Sequence, residues 1–230
     1  MNRTLVLGDL HGAHKALEQC LERANFDPVE DQFVCLGDVC DGWPYVKECV
    51  EMLQSIPNFI GIIGNHDLWA MEWANSGNMQ KIWTTQGGEN TLKSFGYDPS
   101  NFPLDFFMSF SKIYEKDGQV FVHGGIDPNQ RDLGEQSLEV CTWDRSLVQA
   151  ASRKHYQKPD YKYGGWKDIF VGHSTTQFYD SLKPVHHCNV WMIDTGGGWS
   201  GKLTLMDADS KEYWQSDFVP DLYPGIEGRK

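Results

Sequence analysis

Residues 4–17 read TLVLGDLHGAHKAL, and this stretch decides the fold. The short run Leu5, Val6 and Leu7 has the composition of a strand and stops at Gly8. An amphipathic helical pattern carried by Leu17, Leu21 and Ala24 begins a few residues later. Between them stand Asp9 and His11, one residue apart and bracketed by Gly8 and Gly12. A strand ending in Gly-Asp-x-His-Gly points two metal-competent side chains past its carboxyl end. The glycines permit a sharp turn and a close approach of whatever those side chains hold.

The pattern extends outward. Strands are expected at 32–36 (QFVCL), 59–63 (FIGII), 119–123 (QVFVH), 168–172 (DIFVG), 190–194 (VWMID) and 202–206 (KLTLM). Helices are expected over 13–24 and 45–55, with Pro44 suited to a helix start and Pro57 closing it. Alternation of strand and helix argues for an α/β layered core. Residues 67–116 read as mainly helical, broken at Gln86, Gly87 and Gly88. The carboxyl third reads as strands joined by turns, with a hairpin between 191 and 206. Without internal repeat or linker-like stretch, one domain over residues 1–230 is expected, with 221–230 as a flexible tail. Ile226 to Arg229 also reads as a protease recognition site and stays outside the fold reading.

The opening arrangement recurs at four further strand ends: Gly37-Asp38, Gly64-Asn65-His66-Asp67, His123-Gly124-Gly125 and Gly172-His173. Strands lying side by side would bring these ends to one sheet edge, where open α/β folds bind ligands. The resulting inventory is Asp9, His11, Asp38, Asn65, His123 and His173. Its mixed oxygen and imidazole donors exceed the needs of one cation and suit two, sharing a carboxylate, of the Mn²⁺, Fe²⁺ or Zn²⁺ kind. A site for Ca²⁺ or Mg²⁺ rarely recruits three histidines. Asp67 is read as the cap of a helix beginning at Leu68, and Trp69 with Trp73 as a packing face of that helix, with a wall for substrate as the other reading.

Composition narrows the partners. The 230 residues carry a formal net charge of −12 with a pI near 5.0, which opposes a broad grip on a long nucleic-acid backbone. Six scattered cysteines with no C-x-x-C pair read as buried, reduced thiols. No apolar run approaches membrane-spanning length, and a cytoplasmic location without membrane partner is expected for the chain as given.

Taken together, GDLHG at 8, GDVCDGW at 37, GNHD at 64, HGG at 123, WDR at 143 and GHS at 172 resemble the metallophosphoesterase superfamily. Within it the pattern is similar to the bacterial and phage serine/threonine protein phosphatases of the lambda phosphatase type, as is the stretch MIDTGGGWSGKLTLMD at 192–207. The likeness spans residues 4–207. It implies an α/β fold, a layered β-sandwich of two mixed sheets flanked by helices, with a binuclear metal site at the carboxyl ends of core strands. It further implies that Asp9 and His11 hold a first divalent ion, that Asp38 bridges, and that Asn65, His123 and His173 hold a second, Mn²⁺ being the expected metal.

The implied activity is hydrolysis of phosphomonoesters, of phosphoserine or phosphothreonine proteins or of small phosphate esters, by attack of a metal-bridging hydroxide. His66 is implied as general acid, with Asp41 fixing its tautomer, and Arg145 as the fork that grips phosphate. One position departs from the family. Its second motif ends Asp-Arg-Gly, whereas here Asp41 is followed by Gly42 and Trp43, so one of the two expected guanidiniums is missing. This leaves two alternatives beside the phosphatase reading: a phosphodiesterase or dinucleoside-polyphosphate hydrolase with Trp43 stacking on a base, or a metal-binding module with weak catalysis. The oligomeric state is not legible in the sequence.

Overall fold

A computed structural model describes residues 3–229 and gathers the strands into two five-stranded sheets. In the first, β1 (Thr4–Leu7), β2 (Gln32–Cys35) and β3 (Phe59–Gly61) run parallel. Parallel neighbours need crossover connections, which α1 (His14–Arg23) and α2 (Val46–Gln54) supply. The second sheet is built from β4 (Ile113–Lys116), β5 (Gln119–Val122), β6 (Asp168–Val171), β7 (Val185–His187) and β8 (Val190–Met192), of which β5, β6 and β8 are parallel. The last two strands, β9 (Thr204–Asp207) and β10 (Tyr213–Gln215), return to the first sheet, giving the orders β10-β9-β1-β2-β3 and β4-β5-β6-β8-β7.

Side-chain alternation explains why the sheets stack. Successive strand residues face opposite sides, so a strand buried on both faces reads as a continuous apolar run. Leu5 and Leu7 of β1 face the layer of α1 and α2, with Phe33 and Cys35 beside them. Val6 and Val34 face the other way and meet Phe121, Phe170 and Met206 between the sheets. The Phe121 and Phe170 rings are stacked with centroids 5.1 Å apart. On the far side, Val120, Val122, Ile169 and Val171 pack against the helices Leu138–Trp143 and Ser146–His155. The layered sandwich with helices outside is the fold the motifs imply.

Three expectations change. The hairpin between 191 and 206 does not form, because β8 belongs to the second sheet and β9 to the first. The chain between them instead crosses from sheet to sheet. The stretch expected to be mainly helical also contains β4 at its end, and the short strands β7 and β10 carry too little periodicity to be read. The helix expected from Leu68 is α3 (Asn65–Ser76) and begins at Asn65. Within the closing stretch Tyr223 is 1 % exposed and stacks on Trp43, and the Arg229 backbone N–H donates to Gly198 O at 2.9 Å, while 224–227 are exposed. Lys230 lies outside the described residues. Among the described residues no helix is long and apolar enough to cross a membrane.

Candidate metal centre

All six ligand candidates arrive at one place, from the carboxyl ends of β1, β2, β3, β5 and β6. Two of the turns that aim them depend on glycine. A Cβ at Gly64 would sit 2.2 Å from Asp38 Oδ1, and one at Gly172 would sit 2.2 Å from Asp9 Oδ1. Backbone N–H groups can therefore reach the carboxylates directly. His173 N donates to both Asp9 oxygens at 3.0 Å, and His66 N donates to Asp38 Oδ1 at 2.9 Å. His11, Asp38, Asp41 and His173 all hold left-handed backbone conformations, with φ of 48°, 48°, 72° and 57°. Such conformations cost free energy in residues other than glycine and concentrate where function requires a particular aim.

The donor set divides into two groups that share one carboxylate. Asp9, His11 and Asp38 offer ligand atoms within 4.8 Å of one another, and so do Asp38, His123 and His173. The shared residue is Asp38, whose Oδ2 is buried without a hydrogen-bond partner, 3.5 Å from His11 Nε2 and 3.4 Å from His123 Nε2. His11 Nδ1 donates to Cys40 O at 2.9 Å and His123 Nδ1 to Leu36 O at 2.8 Å. These carbonyls fix the tautomer that leaves each Nε2 available, the arrangement a metal-bound imidazole requires. His173 Nε2 is likewise buried and unpartnered, and Asn65 Oδ1 lies 3.0 Å from His123 Nε2.

Electrostatics describes a site short of positive charge. Burial, together with Asp194 and Asp38, pushes the Asp9 carboxyl well above its usual range. Burial alone would raise Asp38 too, but His123 and His66 outweigh it and hold Asp38 well below. For His123 burial opposes the proton, yet Asp38 and Asp9 carry it up to about 9. Burial keeps His11 neutral and lowers His173 to about 2. With Asp9 pushed up, His123 drawing a proton against Asp38, and His11 and His173 held neutral, the cluster is one whose buried carboxylates divalent cations would neutralise. The residues therefore fit a pair of such ions.

Next to the cluster lies a fully buried relay. His66 Nδ1 donates to Asp41 Oδ2 at 2.5 Å, while His66 Nε2 is buried and unpartnered. Asp41 also accepts from Thr91 Oγ1 at 2.7 Å and from Trp83 Nε1 at 2.8 and 2.9 Å. Neither Thr91 nor Trp83 is foreshadowed in the sequence, because both reach Asp41 from more than forty residues away. Asp67 serves α3 as its third residue, accepting Gly64 N–H at 3.0 Å. It also accepts from Val39 and Cys40 N–H at 2.9 and 3.1 Å and so ties the Asp38 turn to that helix. Burial and Asp38 raise its carboxyl to about 7.

The remaining side chains sort by exposure. Trp73 is buried against Trp83, whereas Trp69 meets His66 and Trp143 edge-on at 4.9 and 5.1 Å and so does form a wall of the site. Trp143, 38 % exposed, lies 5.9 Å from the His173 ring. Trp43 is 1 % exposed and donates its indole N–H to Gly197 O at 2.8 Å, so it offers no face to a base. Arg145 is exposed beside the centre and forms no ion pair among the described residues. Partial burial lowers its guanidinium, and the positive charge of Arg229 adds to that effect. Asp194 was missed, although VWMID followed by Thr195 and Gly196 repeats the strand-end signal; it caps that turn by accepting Gly196 N–H at 2.9 Å.

Comparison with known proteins agrees with this geometry. The family profile described as calcineurin-like phosphoesterase matches residues 2–222. A symmetrical bis(5'-nucleosyl)-tetraphosphatase of Pseudomonas entomophila is 31 % identical over 285 residues, covering 96 % of each chain. That alignment is longer than this chain, so the relative carries segments with no counterpart here. A symmetrical bis(5'-nucleosyl)-tetraphosphatase of Pseudomonas syringae pv. tomato is 27 % identical over 188 residues, covering 80 % of this chain. This chain spans only 57 % of that relative's length. A solved structure assigned provisionally as a diadenosine tetraphosphatase superposes with a TM-score of 0.69 at 17 % identity, over 93 % of this chain and 92 % of its own.

Proposed function

Because the chain belongs to the calcineurin-like phosphoesterases, we propose that it is a metal-dependent hydrolase of dinucleoside polyphosphates, cutting the symmetrical tetraphosphate into two nucleoside diphosphates. The observation that carries the hydrolase reading is Asp38 Oδ2, unpartnered and set between the Nε2 atoms of two tautomer-fixed histidines. Asp9, His11 and Asp38 would hold one divalent cation, and Asp38, Asn65, His123 and His173 the other. Such ions, when bound, supply Lewis acidity at phosphoryl oxygens and make water nucleophilic at neutral pH.

The protein's own residues do the rest. Arg145 orients a phosphoryl group with its planar fork of donors. His66, as the imidazolium, would give its Nε2 proton to the departing oxygen, and Asp41, accepting from Nδ1–H, supports that cation. Half-exposed indoles flank the centre: Trp143 beside His173, and Trp199 on the side of His11. By Trp199 opens a groove of about 540 Å³ lined by Ile226 and Pro220, room enough for a nucleoside. The relatives and these aromatic surfaces support dinucleotides over the serine/threonine phosphatase expected from the motifs.

A second reading is favoured by one observation. The buried His66–Asp41 relay suits the alkoxide of a phosphoserine or phosphothreonine, which leaves poorly without a proton, more than it suits a nucleotide phosphate. The test is hydrolysis, with and without Mn²⁺, of diadenosine tetraphosphate and of a phosphoserine peptide by the metal-stripped protein. Two ADP per dinucleotide and a higher kcat/KM than on the peptide are expected. Preference for the peptide would move the function to the second reading, and no turnover of either would leave a metal-binding module.

A further inference from the structure

Arg229 reaches over Gly42. Gly42 stands where the motif this chain resembles has arginine, and its φ of +76° with His11 Cβ only 2.9 Å from an added Cβ makes any side chain there strained. The stem of Arg229 covers this spot from outside, its Cγ 3.5 Å from where a Gly42 Cβ would be and 3.2 Å from that of Gly87. Beyond the stem, the guanidinium enters the centre. Nη1 donates to His11 Nε2 at 3.1 Å and Nη2 to Gln86 Oε1 at 3.2 Å, while the group lies over the Trp199 ring at 4.6 Å.

The approach is built rather than incidental. Arg229 N donates to Gly198 O, and Gly228 lies so close to the Trp43 indole that a Cβ would sit 2.8 Å from it. The wide turn over Thr84–Gly88 presents Gln86 and hands Gly87 O to Gly42 N at 3.3 Å. Despite this investment Arg229 has no carboxylate partner among the described residues, and its Nε is buried and unpartnered. A fixed guanidinium with unused donors beside the cluster calls for an anion.

Resting on the hydrolase reading, we infer that Arg229 is a phosphate-binding residue that works with Arg145 and replaces in space the arginine missing at Gly42. The interaction with His11 Nε2 is one it would yield to a cation, its other donors then being free for phosphoryl oxygens.

The experiment measures binding of inorganic phosphate to the Mn²⁺-loaded protein by intrinsic tryptophan fluorescence, for which Trp199 is the reporter. It is run beside bound-metal content and melting temperature for the wild type, Arg229→Ala and Arg229→Lys. Arg229→Ala should weaken phosphate binding at least about 10-fold, as expected for a lost charged hydrogen bond, with metal content unchanged. Arg229→Lys should recover part of the loss and guards against a merely unfolded alanine variant. Unchanged phosphate binding overturns the inference, as does loss of metal, which would make Arg229 a support for His11. Tighter phosphate binding by Arg229→Ala also overturns it, since the segment would then be a cover. If the wild type cleaves neither dinucleotide nor phosphopeptide while phosphate binding still depends on Arg229, the proposed function falls and this assignment stands.

Discussion

The cradle of Asp9, His11, Asp38, Asn65, His123 and His173 and the pair of arginines beside it are built in opposite ways. Cradle residues sit at the ends of parallel strands and are almost all fully buried. Backbone N–H groups hold their carboxylates, and backbone carbonyls hold the inner nitrogens of His11 and His123. The arginines come from outside the strands, Arg145 just after the helix Leu138–Trp143 and Arg229 from the closing segment, and neither is paired with a carboxylate among the described residues. On the proposed function, the strand-end centre would carry the chemistry and the two arginines would select what is presented to it.

Breaking the cradle should do the most damage. Asp38→Asn removes the charge shared by both halves and should lower metal-dependent turnover on the order of 10³-fold, since several kcal/mol of transition-state stabilisation depends on bound cations. Steady-state rates across a Mn²⁺ titration will show whether added metal rescues it, which the shared position of Oδ2 forbids.

A smaller loss is expected from the relay. His66→Asn should slow substrates with poor leaving groups about 10²-fold and spare nitrophenyl phosphate, whose leaving group needs no proton. Equal slowing of both, read from parallel kcat values, would assign His66 to the cradle instead.

On the side of the grip, Arg145→Ala should raise KM about 10-fold while metal content stays unchanged. A fall in metal content by elemental analysis would erase the distinction between the two regions. The smallest effect is expected at Thr91→Val, which costs Asp41 one donor and leaves Asp41 N–H without its acceptor at 2.8 Å. It should destabilise the fold by about 1–3 kcal/mol, measurable by urea unfolding, and reduce kcat a few-fold.

The same contrast explains what could be read from sequence. Each cradle residue stands next to a glycine at the end of an apolar run, a local signal strong enough to survive without structure. Asp194 also ends an apolar run but has Thr195, not a glycine, beside it, so the signal there is weaker. The supports of Asp41 could not be read, since Trp83 and Thr91 reach it through a turn whose geometry no local pattern announces. Trp43 looked like a stacking surface because exposure is invisible in sequence; Tyr223 and Gly228 bury it. Arg229 lay in a stretch set aside as a tail, and only tertiary packing returns it to within hydrogen-bonding distance of His11.

The central claim is that six strand-end side chains hold two cations through one shared carboxylate. Elemental analysis of the purified protein after Mn²⁺ loading and removal of free metal tests it most directly, with Asp38→Asn beside the wild type. Two metal ions per chain, falling sharply in the variant, is the predicted result. One ion per chain that Asp38→Asn retains would contradict it.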